Sequence, residues 1–68
     1  MKMKYAYRRE IGTRRILGTD HPVNAVVYKG RKREWVLAII CNGTGMITRS
    51  FITRRGAIDS ASGEEWRA

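Results

Sequence analysis

The stretch Glu34-Trp35-Val36-Leu37-Ala38-Ile39-Ile40-Cys41 decides how this chain folds. It is the longest apolar run, and its β-branched residues and tryptophan predict a strand. Asn42-Gly43-Thr44-Gly45 ends it, and glycine supplies the backbone freedom for a tight reversal into a second run that begins at Met46. If Cys41 faces Met46 across this loop, Ile40 pairs with Ile47, Ala38 with Arg49, Val36 with Phe51 and Trp35 with Ile52. One face then carries Trp35, Leu37, Ile39 and Cys41 beside Ile52, Ser50, Thr48 and Met46. The other carries Val36, Ala38 and Ile40 beside Phe51, Arg49 and Ile47. Apolar side chains on both faces call for cover on both sides. The expected fold is therefore mainly β, a small curved antiparallel sheet or partly open barrel, with the edge of such a sheet also permitting a homodimer.

Working outward, Tyr5 and Tyr7 alternate with Lys4, Ala6 and Arg8, which predicts a first strand between Lys2 and Ile11. Gly12 interrupts it, and Thr13 to Leu17 reads as a short strand or one helical turn before Gly18. Gly18-Thr19-Asp20-His21-Pro22 reads as a turn, with Asp20 able to accept local hydrogen bonds and Pro22 holding its predecessor extended. Val23 to Tyr28 is β-prone, and Lys29-Gly30-Arg31-Lys32-Arg33 forms the next turn. After Thr53, Arg54-Arg55-Gly56 turns the chain again, and Ala57-Ile58 adds a short strand or a packing contact. Ser62 stands three residues before Glu65, the spacing of a capping box, so a single C-terminal helical turn with Trp66 on an apolar face completes the reading.

Sixty-eight residues make one domain, residues 1–68, ending in a short, mildly acidic segment over 60–68. Fourteen Lys and Arg against six Asp and Glu give a formal charge of +8. The imbalance is uneven: residues 1–55 hold thirteen basic and three acidic groups, and residues 56–68 hold one basic and three acidic. No stretch approaches the ~18 apolar residues of a membrane span, and the basic start lacks the apolar run of a secretory leader, so a cytoplasmic location is expected. One cysteine, Cys41, makes no internal disulfide, and one histidine, His21, builds no metal site alone. The glycines lack a phosphate-loop pattern, and no cofactor motif is present. Asn42-Gly43-Thr44 fits a glycosylation acceptor, but as part of a turn in a chain without a leader it is better read as structural. Cys41 and His21 would make a nucleophile pair only through tertiary proximity, and an enzyme is not expected.

Charge therefore carries the functional expectation. Lys29, Arg31, Lys32 and Arg33 crowd one hairpin turn, where arginine offers a paired donor fork and lysine a mobile charge to phosphate. Arg54 and Arg55 join them if the central strand pair extends to its end, giving a continuous basic edge. The plain alternative is a solvated loop, with Glu34 and Glu10 neutralising part of it and the charge discouraging unwanted sheet pairing. Arg49 falls between Ile47 and Phe51 on an apolar face, so it must reach solvent, pair with a carboxylate or meet a ligand. Tyr5, Tyr7 and Tyr28 are candidates to stack on bases or anchor a partner, whereas Trp35 and Phe51 belong in the core. Arg8, Arg9, Arg14 and Arg15 add a secondary basic surface.

These features predict a non-enzymatic nucleic-acid-binding protein that contacts the phosphate backbone, with DNA slightly preferred to RNA and no membrane partner. The alternative is a small inhibitor or adaptor that docks the same basic face on an acidic protein. No helix-turn-helix, zinc finger or single-stranded RNA recognition motif is announced. Neither composition nor motif names an activity.

Overall fold

The computed structural model describes residues 4–41 and 44–67. Lys2 and Met3 of the expected first strand, and Asn42 and Gly43 of the expected reversal and glycosylation pattern, lie outside the described residues. Four strands, β1 (Tyr7–Ile16), β2 (Thr19–Lys29), β3 (Trp35–Cys41) and β4 (Thr44–Phe51), form one antiparallel sheet in the order β1-β2-β3-β4. A helix, α1 (Arg54–Ser62), follows and packs on one face of β2, β3 and β4.

The sheet is neither closed nor curled, which corrects the expected curved sheet or partly open barrel. β1 and β4 are its two free edges. The requirement for cover on both faces is met without closure. On the helix side, Val23, Ala25 and Val27 of β2 lie beside Leu37, Ile39 and Cys41 of β3, and Ala57 and Ala61 of α1 close over them. These helix positions are four apart, on one side of a 3.6-residue turn, and their methyl side chains let the helix approach closely. On the other face, Val26, Val36 and Ala38 are buried at the centre of the sheet, flanked in register by Arg8, Tyr28, Ser50 and Thr48. Short side chains within such a row need no second layer to lose water.

The central pairing differs from the sequence expectation by one residue from Ile39 to Trp35 and by two at Ile40 and Cys41. Cys41 pairs with Thr44 and Ile40 with Gly45; after an irregularity, Ile39 pairs with Ile47, Leu37 with Arg49 and Trp35 with Phe51. The closing pair Cys41↔Thr44 leaves two residues between the strands where four were expected. Because side chains alternate, the shift places Ile47, Arg49 and Phe51 on the helix face with Leu37 and Ile39.

Gly12 does not end the first strand. A bulge at Glu10/Gly12 absorbs Ile11, and β1 continues to Ile16. The reversal falls at Leu17-Gly18, between the Ile16↔Thr19 pair, and both turn residues have positive φ, 50° and 79°. Asp20, His21 and Pro22 consequently lie in β2 and not in a turn. The helix was expected as one turn after Ser62, but it begins eight residues earlier. Thr53 is its N-cap, its side chain accepting from the Gly56 N–H at 3.0 Å, and Ser62 is its last residue.

The segment after α1 crosses the same face. Arg9 donates through Nη2 to the carbonyls of Ala61, Ser62 and Glu64, at 3.3, 3.1 and 2.7 Å. The Trp66 N–H donates to the Ile11 carbonyl at 3.2 Å, and its side chain packs against the core beside Gly12. Among the described residues no helix is long and apolar enough to cross a membrane.

Candidate functional site

The register assigns eight of the fourteen basic residues to the two ends of the sheet. Lys29 pairs with Trp35, and Trp35 with Phe51, so the β2–β3 loop and the β4–α1 turn leave the sheet at the same level. Lys29, Arg31, Lys32, Arg33, Arg54 and Arg55 therefore belong to one end, and all six are exposed. Arg14 and Arg15, opposite His21 and Asp20, belong to the other end, near the Leu17-Gly18 turn.

Local chemistry shapes the loop. Gly30 N–H donates to the Glu34 carbonyl at 2.9 Å, and Glu34 N–H donates to the Arg31 carbonyl at 3.0 Å, closing a turn in which Arg33 takes a positive φ of 56°. The Glu34 carboxylate accepts from the Arg31 backbone N–H at 3.2 Å and from Ser50 Oγ at 3.1 Å. Glu34 thus ties the loop to β4, engaged by neutral donors rather than by a guanidinium. Lys29 Nζ sits 5.2 Å from the Trp35 ring centroid, within cation–π range, and donates to the Arg31 carbonyl at 3.2 Å.

Ion pairing divides the arginines further. Arg55 approaches Asp59 at 3.9 Å, one turn along α1, with both side chains largely exposed. Arg49 approaches Glu64 at 3.6 Å and stays 62% exposed, so it meets its awkward position by reaching both a carboxylate and solvent. Among the described residues, Arg31, Lys32, Arg33 and Arg54 make no ion pair. Arg9 is taken up by the carbonyls at the end of α1, a structural role that no local sequence signal announces because its acceptors lie more than fifty residues away.

The aromatic candidates separate likewise. Tyr7 packs against the helix-side core with Trp35 and Phe51. Tyr28 is half-buried on the opposite face, and Tyr5 is 40% exposed ahead of β1. That opposite face also carries Arg8 and Glu10, and Arg15 opposite Asp20, so its charges alternate in sign. The Glu34 anchor, like the Arg9 contact with the end of α1, is a feature the sequence reading missed.

His21 stands two residues from Val23, the register partner of Cys41, on the same face, but no hydrogen bond joins the two side chains among the described residues. Cys41 is buried, and the described residues contain no group of three His, Cys, Asp or Glu placed to hold a metal. The fold defines the chain as an open four-stranded antiparallel meander with one helix packed across it. Comparison with family models, curated proteins and solved structures gave no match.

Proposed function

We propose that this chain is a non-enzymatic nucleic-acid-binding protein whose phosphate-contacting surface is the end of the sheet formed by the β2–β3 loop and the start of α1. The observation that carries this reading is the Lys29–Trp35–Phe51 register, which sets Arg31, Lys32 and Arg33 at the same level as Arg54 and Arg55. Four of these guanidinium and ammonium groups have no carboxylate partner among the described residues. α1 begins with two arginines and has no acidic residue in its first turn. Cations at the positive end of a helix dipole are unfavourable, and a bound phosphate relieves both. The alternating charges of the opposite face, and the packing of Tyr7 on the helix-side core instead, argue against a base-stacking platform there. Contact is accordingly to backbone phosphates, with little sequence preference. The unpaired cysteine suits the reducing cytoplasm.

The test is titration into fluorescent duplex DNA, single-stranded DNA and RNA across a salt series. Affinity should fall linearly on logarithmic axes as salt rises, because neutralised phosphates release counterions. Reversing Arg31, Lys32 and Arg33 to glutamate should flatten that slope, whereas Arg14→Glu and Arg15→Glu at the other end should change it little. No binding to any of the three at low salt refutes the reading. A protein partner retained after nuclease treatment, by a chain without nucleic-acid affinity, would replace it with the inhibitor or adaptor role.

A further inference from the structure

Glu34 is the one carboxylate in the loop that carries Lys29, Arg31, Lys32 and Arg33. By charge alone it is misplaced, because a negative group among those cations lowers the potential that draws a phosphate in. Yet among the described residues no Lys or Arg lies within ion-pairing distance of it. Both of its oxygens go to neutral donors: Oε1 accepts from the Arg31 N–H at 3.2 Å and Oε2 from Ser50 Oγ at 3.1 Å. Its backbone is engaged as well, the carbonyl accepting from Gly30 and the N–H donating to the Arg31 carbonyl. Gly30 leaves room for this arrangement, since a Cβ there would collide with Oε1 and stand 3.0 Å from Cδ. The half-buried side chain therefore lies folded back over its own loop with its head fixed to β4.

We propose that Glu34 is a positioning residue for phosphate contact, holding Arg31, Lys32 and Arg33 in one arrangement before the ligand arrives. This role presupposes nucleic-acid binding at that end of the sheet. Without the Glu34 bonds, three long side chains stand on a turn in which Arg33 has φ 56°, a conformation that such a residue keeps only when its surroundings impose it. A loop free to leave that conformation scatters its cations, and the ligand's own contacts must then offset the cost of ordering them.

Two opposing effects meet at this carboxylate. Taken at about 7 Å in water and screened over about 8 Å, its charge weakens the affinity for a phosphate only about 1.5-fold. A net hydrogen bond shifts an equilibrium about three- to tenfold, and the side chain makes two. Ordering wins.

Variants of equal charge separate position from attraction. Glu34→Gln removes the charge but keeps a carbonyl oxygen for the Arg31 N–H and an amide that donates to Ser50 Oγ, whereas Glu34→Ala removes both contacts. Affinities for fluorescent duplex DNA, single-stranded DNA and RNA are read across a salt series. Glu34→Gln should bind as tightly as the parent or about twofold tighter, and Glu34→Ala about tenfold more weakly. The salt slope should be the same in both, because the same cations still reach phosphate. Ser50→Ala, at an exposed site and without a change of charge, should fall between. On the free chains, the N–H order parameters of Arg31, Lys32 and Arg33 should stay near about 0.85 in the parent and in Glu34→Gln, and drop to about 0.6 or below in Glu34→Ala. Equal affinities of the Glu34→Gln and Glu34→Ala chains overturn the proposal. So does a Glu34→Ala loop as ordered as the parent's, or a Glu34→Ala chain that binds more tightly than the parent. If circular dichroism shows Glu34→Ala unfolded, Ser50→Ala decides, and an affinity equal to the parent's overturns the proposal. These results leave nucleic-acid binding itself standing. A parent chain that binds none of the three probes removes that reading and the role of Glu34 together.

Discussion

Replacing Gly12 with alanine tests how tightly the C-terminal segment is seated on β1. A Cβ at Gly12 would stand 2.9 Å from Trp66 Cβ and 3.3 Å from the Trp66 carbonyl oxygen. Neither atom is the far end of a flexible side chain, and the same residue is held through its N–H to Ile11 at 3.2 Å. Trp66 must therefore shift as a whole. The backbone raises no objection, because Gly18 is the glycine with positive φ among the described residues. Alanine in a strand gains about 0.5–1 kcal/mol over glycine from a less flexible unfolded chain. Overpacking costs about 1–3 kcal/mol. Taking the middle of each range leaves a net loss of about 1 kcal/mol, or roughly 4–8 °C in Tm for a domain of this size. Urea unfolding followed by circular dichroism reads the stability. Tryptophan fluorescence in a Trp35→Phe background reports the displacement of Trp66. Gly45→Ala is the control: nothing stands within 4 Å of its Cβ position, so it should be neutral or slightly stabilising. A Gly12→Ala chain at least as stable as the parent, with Trp66 emission unmoved, would refute the reasoning.

Two further substitutions address the turns that frame the sheet. Leu17 is fully exposed at φ 50°, where a leucine costs about 1–2 kcal/mol and buries nothing. Leu17→Asn should raise the urea midpoint by an amount equivalent to about 1 kcal/mol with the slope unchanged, and a lowered midpoint would contradict the turn assignment. Thr53→Ala removes the acceptor of the Gly56 N–H and should cost about 1 kcal/mol, whereas Thr53→Ser should retain most of the stability. Equal losses in the two Thr53 variants would place the effect outside the cap.

The strands were legible where composition and pattern agreed. Trp35 to Cys41 is β-branched and apolar without a breaker, and Val23 to Tyr28 likewise forms the heart of β2. Boundaries failed where one residue carried two meanings. Gly12 looked like an interruption, but its lack of a side chain accommodates Trp66 beside a bulge, a tertiary cause that no local window contains. Pro22 looked like a turn residue, but it sits in β2 opposite Thr13, beyond the last β2–β3 pair at Val23↔Cys41, where β2 is itself an edge and tolerates the missing donor. The helix was hidden because Gly56, Ser60 and Ser62 weaken its propensity, although Thr53 before it, Gly63 after it and the Ala57/Ala61 spacing were available as signals. At the candidate site, the crowding of Lys29 to Arg33 was visible in one dimension. Their common level with Arg54 and Arg55 depended on a register that the sequence reading had one residue off.

Arg9 meets acceptors 52 to 55 residues further along the chain. The three hairpins need only neighbouring segments, and loop-closure entropy favours such local pairings first. The sheet can thus assemble before its guanidinium finds the end of the helix. That contact works as a closing clasp on a partly formed molecule, and its main kinetic effect is to slow escape from the native state rather than to hasten arrival there.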